Sequence, residues 1–299
     1  MVHYSVCPAC HKNDISFEFN AKDNTVTTES FAVWSCSHCC TKFTQDVANE
    51  NEIGKYYQSE NYISHSDTQK GLINLLYHKV RQFTLVGKRK LVCYETRKSK
   101  GNLLDIGCGT GAFINIMKQS SWSVTGLEPD STASEKAGKL YGIKPQPSEA
   151  LFHLTENNYD AITMWHVLEH VHKLDEYINQ CKKLLKPTGV LIIAVPNHTS
   201  YDASFYKENW AAYDVPRHLY HFSPEGMSLL MQRHGLKVDK VKPMWFDSFY
   251  VSMLSEAYRY QKVNLLRAFL VGFYSNLKCL FAPQKCSSVI YIIRPITAK

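Results

Sequence analysis

Asp105-Ile-Gly-Cys-Gly-Thr-Gly111 is the segment that most restricts what this chain can fold into. Leu103-Leu104 before it and Ala112-Phe113-Ile114 after it are apolar, so the stretch reads as a buried strand, a glycine turn and the opening of a helix. Gly107, Gly109 and Gly111 lack a Cβ, which lets a ligand approach the main chain closely. The unpaired N–H groups of the following helix aim at polar atoms of such a ligand. Glu128 stands beyond a second short apolar segment, where a carboxylate can accept hydrogen bonds from ribose hydroxyls. A nucleotide-type cofactor is the expected occupant.

Two cofactor classes satisfy this much. Gly107-Cys-Gly109-Thr-Gly111-Ala112 also fits the loose dinucleotide pattern. A pyrophosphate is an anion, however, and Asp105, two residues before the first glycine, is an unfavourable neighbour for it. A carboxylate there suits a cofactor with a cationic amino-acid end. In order, Asp105–Gly111, Leu127-Glu-Pro-Asp130 and Trp165-His-Val-Leu-Glu-His-Val171 resemble the class I S-adenosylmethionine-dependent methyltransferases, over about residues 100–245 and a last strand near 288–295. The resemblance implies an α/β fold, a doubly wound, seven-stranded Rossmann-like sheet. It implies S-adenosyl-L-methionine as cofactor, with Asp105 at its ammonium, Glu128 on its ribose and Ser148 and Glu149 toward its adenine. Met164, Trp165 and His166, at the carboxyl end of the fourth strand, would face the mouth of the site.

The pattern along the chain agrees with alternating strands and helices. Strands are expected at Asn102–Ile106, Ser123–Leu127, Ile143–Pro145, Tyr159–Met164, Val190–Val195, Leu236–Val241 and Ser288–Ile293. Helices are expected at Ala112–Gln119, Ser131–Tyr141 and Leu174–Leu185, and after the Ser223-Pro224 start signal to His234. Lys186-Pro-Thr-Gly189 reads as a turn before the fifth strand. Residues 51–100 form a linker or lid, with a helix over 68–98. Leu72, Leu75, Leu76, Val80, Phe83 and Val86 make its apolar face, and Lys70, Lys79, Arg81, Lys88 and Lys90 its basic one. Residues 101–299 are the cofactor domain, with a helical insert at about 247–285 before the last strand.

Five of the ten cysteines fall within residues 7–40, and four of these form the pairs Cys7-x-x-Cys10 and Cys36-x-x-Cys39. Paired knuckles at the ends of short strands place four thiolates around one Zn2+, so residues 1–50 read as a structural zinc ribbon. His11, His38 and Cys40 adjoin the knuckles, but four cysteines already complete the set. Such an ion folds the module and leaves no open position for catalysis. No apolar segment follows Met1, and the charge-free run Ala268–Leu277 is too short to span a bilayer, so a cytoplasmic protein is expected.

Net charge of +7 is uneven along the chain. Residues 61–100 carry nine Lys/Arg against two Asp/Glu, and residues 255–299 seven against one. Mixed with aromatic and aliphatic residues, the basic C-terminal insert fits a peripheral contact with the inner face of a membrane. A helical pair packed over the substrate pocket, or against a homodimer partner, fits the same residues.

Methyl transfer to a hydroxyl or carbon acid needs a base, most often a histidine or carboxylate. His166 lies in one candidate cluster with Glu169, His170 and His172, of which His172 is expected to face solvent. Arg217, His218 and His221 lie in a second, on a long aromatic loop after the fifth strand. Pro216-Arg-His-Leu-x-His221-Phe resembles a segment of zinc-ribbon methyltransferases acting on sugars and small metabolites. No carboxylates cluster at metal-ligand spacing near the glycine turn, which argues against a metal-dependent catalytic centre. The expected acceptor is thus an O or C atom of a small molecule, glycan or lipid-linked intermediate. An RNA or protein methyltransferase, or a non-catalytic scaffold, is the alternative. Residues 1–60 carry four Lys/Arg against eight Asp/Glu, and no N-P-P-Y-like tetrapeptide follows the fourth strand, so nucleic acid is disfavoured.

Overall fold

The computed structural model describes residues 1–58 and 72–296, with residues 72–81 described by their backbone alone. The expected start of the first helix, including Lys70, therefore lies outside the described residues, as do the side chains of Leu72, Leu75, Leu76, Lys79, Val80 and Arg81. Ten strands are present among the described residues: β1 (Ile15–Lys22), β2 (Ser30–Cys36), β3 (Lys42–Thr44), β4 (Asn102–Ile106), β5 (Ser123–Leu127), β6 (Tyr159–Trp165), β7 (Leu185–Pro196), β8 (Tyr220–His221), β9 (Leu236–Met244) and β10 (Ser288–Pro295). The α-helices are α1 (Leu72–Thr96), α2 (Ala112–Gln119), α3 (Ser131–Tyr141), α4 (Leu174–Leu184), α5 (Tyr201–Tyr206), α6 (Pro224–Arg233), α7 (Asp247–Tyr260) and α8 (Leu265–Phe281). The larger sheet has six strands in the order β5-β4-β6-β7-β10-β9, and the smaller has the order β1-β2-β3-β8. Its six described strands correct the seven expected.

The missing strand is Ile143–Pro145, which shrinks to a single parallel bridge between Leu127 and Gln146. Pro145 and Pro147 flank Gln146, and neither has an N–H to extend a ladder. The expected turn at Lys186–Gly189 is instead extended, so β7 starts five residues early.

Two bodies divide the chain. One comprises Tyr62–Trp165, Ile178–Ile192 and Arg294–Lys299. Here β4 pairs in parallel with β5 and β6, setting Asp105 opposite Gly126 on one side and Thr163 on the other. The strands are near-continuous apolar runs because helices cover both faces of a parallel sheet. Leu103, Leu104, Ile106, Leu127, Ile162 and Met164 are buried. In α1 the buried stripe passes through Leu85 and Val92, whereas Phe83 and Val86, expected on the apolar face, are exposed. This helix carries apolar residues around much of its circumference, so periodicity alone selected the wrong members.

The other body comprises Met1–Asn61, His166–Tyr177 and Ile193–Ile293. Its N-terminal segment is no free-standing module. β3 pairs antiparallel with β8, matching Lys42 to His221 and Phe43 to Tyr220. Ala21 and Val33 share one buried cluster with Tyr206, Trp210, Tyr213, Val215 and Val271. Arg217 and Asp23, both fully buried, meet at 2.9 Å. The boundary expected at residue 50 is crossed by a sheet, a core and an ion pair. The insert is a helical hairpin of α7 and α8, where Gly272 lets the helices close, since a Cβ there would fall about 3 Å from Phe249.

Candidate active site

The glycine turn follows β4 because three of its residues take conformations that side chains resist. Gly107, Gly109 and Gly111 have φ of 70°, 54° and 79°. At Gly111, the left-handed cap of α2, a Cβ would also come 3.0 Å from Ala137 Cβ. At Gly109 a Cβ would meet open space, so that glycine is held by backbone angle, not by crowding. Glu128 fastens the turn: Oε2 accepts from the Gly109 N–H at 2.7 Å and Oε1 from the Asp130 N–H at 3.0 Å.

Asp105 is buried, and its Oδ1 accepts from the Thr163 hydroxyl at 2.5 Å. Burial pushes the carboxyl up to about 7, against the pull of Thr163 and of the Lys88 charge, with the Glu128 carboxylate adding to the rise. An under-compensated buried carboxylate is a seat for a cation. Trp165, at the end of β6, packs its ring edge-on to Phe113 at 5.6 Å and lies 4.3 Å beneath Lys88 Nζ. Its indole N–H is buried without a hydrogen bond among the described residues. These features fit a cofactor with an ammonium group, a diol and an aromatic base. Glu149 is exposed on the 3-10 turn Ser148–His153, and no hydrogen bond among the described residues links it to this group. Thr163 is not among the residues expected from the sequence, where a threonine inside the apolar run Ala161–Met164 is the available signal, and Lys88 is expected there only as part of the basic face of the first helix.

In the other body the histidines regroup. His166 has φ of 59°, and its two ring nitrogens face carboxylates, Nδ1 to Glu169 at 3.3 Å and Nε2 to Asp247 at 3.1 Å. Burial lowers its pKa, but Asp247 and Glu169 outweigh that and hold it up at about 10. Glu169 is completely buried, and neither carboxylate oxygen receives a hydrogen bond among the described residues. His170 Nδ1 lies 3.0 Å from the Arg217 carbonyl oxygen and 3.0 Å from the Tyr57 hydroxyl. His218 Nδ1 lies 2.9 Å from the Ala212 carbonyl oxygen. A carbonyl can only accept, so both histidines carry their hydrogen on Nδ1 and keep a lone pair on Nε2. Their rings meet edge-on at 4.6 Å. One carboxylate oxygen of Glu169 and one ring nitrogen each of His170 and His218 lie within 4.8 Å of one another. Burial, reinforced by His218, presses His170 down to about 4, so it is neutral at pH 7.

This brings His218 from the second expected cluster to Glu169 and His170 of the first. It also shows what sequence spacing missed, a carboxylate and two imidazoles at ligand distance. His221 goes elsewhere: it is buried in β8, 3.2 Å from Thr44 Oγ1 and edge-on to Tyr213, and burial keeps it well below the usual imidazole range. His172, expected to face solvent, is only half-exposed, its Nε2 lying 3.0 Å from the Ala48 carbonyl oxygen. Arg217 is structural, donating to Asp23, to Asp214 and to the Tyr56 carbonyl.

Cys7, Cys10, Cys36 and Cys39 also converge, their sulfurs within 4.8 Å of one another. The Cys7–Cys39 and Cys10–Cys36 separations are 3.5 and 3.6 Å. Four thiolates at about 2.3 Å from one zinc ion would sit roughly 3.8 Å apart along a tetrahedral edge, so the donor set and spacing fit Zn2+.

Residues 77–241 match a family model described as a methyltransferase domain. Curated relatives include the ubiquinone biosynthesis O-methyltransferase of Caulobacter vibrioides, 32% identical over 104 residues that cover 32% of this chain and 41% of that protein. The mitochondrial ubiquinone biosynthesis O-methyltransferase of Rattus norvegicus is 28% identical over 163 residues, covering 49% of this chain and 47% of that protein. The chain thus spans less than half the length of these relatives. Among solved structures, a SAM-dependent methyltransferase of Thermotoga maritima, described as a possible histamine N-methyltransferase, superposes with a TM-score of 0.50 at 19% identity. That match covers 76% of this chain and 96% of the other, and it shows the shared fold.

Proposed function

We propose, from the premise that the chain belongs to the methyltransferase-domain family, that it methylates an oxygen of a small molecule, glycan or lipid-linked intermediate. The observation that carries the donor half is Asp105, a buried carboxylate whose charge Thr163 and Lys88 only partly offset. Bound at this turn, S-adenosyl-L-methionine supplies an electrophilic methyl group on a sulfonium. Asp105 would hold its ammonium, and Glu128, already fixed by the Gly109 and Asp130 amides, would turn its remaining lone pairs to the ribose. Trp165 would offer its indole N–H, and Gly107, Gly109 and Gly111 would admit the cofactor to the backbone. Glu149 is kept as an adenine contact on its position after β5 alone.

The acceptor half rests on His166, Glu169, His170 and His218, which we assign to receiving an acceptor hydroxyl and its proton. His166, paired with two carboxylates, is a standing cation that orients the group, whereas His170 and His218 present lone pairs. The packed His221 is assigned to the loop. The Caulobacter and rat relatives are O-methyltransferases, which favours oxygen over carbon. The cysteine cluster is assigned to a structural Zn2+. The exposed apolar face of α8, including Leu266, Phe269, Leu270, Phe273 and Leu280 beside Lys278, is assigned to an anionic lipid surface. No described helix is long and apolar enough to cross a membrane.

Labelled-methyl transfer into cell-extract fractions tests the whole reading. Label in a small-molecule or lipid fraction, lost in Asp105→Asn and reduced in His218→Gln, is expected. Label in RNA or protein would overturn the acceptor class.

A further inference from the structure

We propose that Glu169, His170 and His218 hold a divalent first-row cation, a second metal site apart from the four cysteines. Three observations converge on it. The first is the donor set: one carboxylate oxygen and two imidazole nitrogens lie within 4.8 Å of one another. Two histidines with a carboxylate, leaving coordination positions open, suit Zn2+, Mn2+ or Fe2+.

The second observation is the orientation of the imidazoles. Metal-binding histidines usually donate their other ring N–H to a carbonyl or carboxylate, which fixes the tautomer and raises the basicity of the ligating nitrogen. His170 does so to the Arg217 carbonyl and His218 to the Ala212 carbonyl, at 3.0 and 2.9 Å. In its neutral form each histidine thereby keeps its lone pair on Nε2. The Arg217 and Ala212 carbonyls are themselves rigidly placed, since Arg217 is fastened by Asp23 and Asp214 and Ala212 lies in the buried aromatic cluster.

The third is Glu169. Its carboxylate is fully buried and neither oxygen accepts a hydrogen bond among the described residues, although Oε1 pairs with His166 Nδ1 at 3.3 Å. A buried anion with two unsatisfied oxygens is a costly feature unless something cationic takes them. His166 neutralises one side, and the cation would take the other. Asp214, whose Oδ2 is 3.9 Å from His218 Nε2, is already engaged by Arg217 and is not counted as a ligand.

The site deepens the acceptor assignment above and rests on it only for the identity of the ligand at the open position. An oxygen ligand, water when empty and the acceptor's hydroxyl when loaded, is the chemistry expected there. A hydroxyl held on a divalent cation gives its proton up to solvent water at a lower pH than a free one does; with their Nε2 lone pairs on the ion, His170 and His218 then act as ligands and leave the base role to water.

Metal content, read without donor or acceptor, tests the site separately from methyl transfer. The full chain is equilibrated with Zn2+ and assayed by elemental analysis. Glu169→Gln should hold one ion fewer per chain than wild type while keeping the cysteine-bound ion, which also reports that the variant is folded. In wild type already loaded with zinc at the cysteines, added Co2+ should give visible bands with no thiolate-to-cobalt charge transfer, and His218→Gln should weaken that binding by more than the ~10–100-fold of an outer-shell change. The cobalt arm needs no variant to fold. Equal metal content in wild type and Glu169→Gln, or cobalt bound through thiolate alone, would overturn the proposal.

Discussion

Asp105→Asn should make the empty protein more stable at alkaline pH while removing its affinity for the cofactor. Burial raises this carboxyl from 3.8 to about 7. A folded-state pKa above the unfolded one means the protonated form is favoured in the fold. The contribution is therefore fully present below about pH 4 and lost as pH rises through about 7. At 1.36 kcal/mol per pKa unit, the interval corresponds to roughly 4 kcal/mol of destabilisation above pH 7. Asparagine keeps the shape and still accepts from Thr163, without the charge. Its amide needs an acceptor of its own, so about 2–4 kcal/mol of the penalty should be relieved. Urea unfolding at pH 5 and pH 8.5 measures this: wild type should lose more stability between the two than Asp105→Asn does, since the other titrating groups, His166 among them, are shared. Calorimetry with S-adenosylmethionine should show binding to wild type that weakens as pH falls below about 7, because a cation needs the carboxylate. The variant should bind at least tenfold more weakly, on the roughly 1.5–3 kcal/mol of a charged hydrogen bond. A variant less stable than wild type at pH 8.5, or one that binds the cofactor undiminished, would refute the argument.

Other consequences are as direct. Arg217→Met leaves Asp23 and Asp214 without their shared cation and should cost about 3–5 kcal/mol, seen as a large drop in thermal midpoint; a change under about 1 kcal/mol would show the triad to be incidental. His218→Gln should slow methyl transfer by about a hundredfold to ten-thousandfold with cofactor affinity unchanged by calorimetry, and a matching loss of affinity would return His218 to a structural role. Cys7→Ser with Cys36→Ser should abolish zinc binding at the cysteines and lower the thermal midpoint of the body the N-terminal segment is packed into, measured by elemental analysis and circular dichroism. Vesicles rich in anionic lipid should carry wild type down at low salt but not Leu266→Glu with Phe269→Glu; soluble wild type that sediments as a dimer instead would give the α8 face to a second copy.

Much of the fold is legible because its signals are local. The glycine turn, the apolar strands beside it and the Ser223 cap of α6 depend on residues a few positions apart. The cofactor turn reads out for the same reason: Gly107–Gly111 and Glu128 need only their own strand and the next. Most of what fails is set by partners distant in sequence, the third strand excepted. The third strand fails on Pro145 and Pro147, whose missing N–H groups outweigh a weak apolar signal. Phe83 and Val86 look like core until α2 chooses which side of α1 to cover. His172 looks exposed until the Ala48 carbonyl, over a hundred residues earlier, meets it. His218 joins Glu169 and His170 only after a loop has been folded back by strands that no local pattern announces.

That folding back ties the cysteine cluster to the acceptor residues. β3 leaves the second cysteine knuckle and pairs with β8, and the Thr44 hydroxyl at its end donates to the His218 carbonyl at 2.7 Å. Ser223, which caps α6, also donates to the Cys39 carbonyl at 2.5 Å. Asp23, anchored by the Thr25, Val26 and Thr27 amides, takes one face of the Arg217 guanidinium. Each contact bears on the short run from Arg217 to Ser223, and none reaches a chemical group of His170 or Glu169. A metal on the cysteines would therefore act on catalysis as a scaffold, by holding the backbone of the loop from which His218 projects. The imidazole of His218 is placed within that loop by Ala212 and faces Glu169 and His170 as a consequence. An N-terminal segment that could be removed without effect would have no need of a buried Asp23–Arg217 pair.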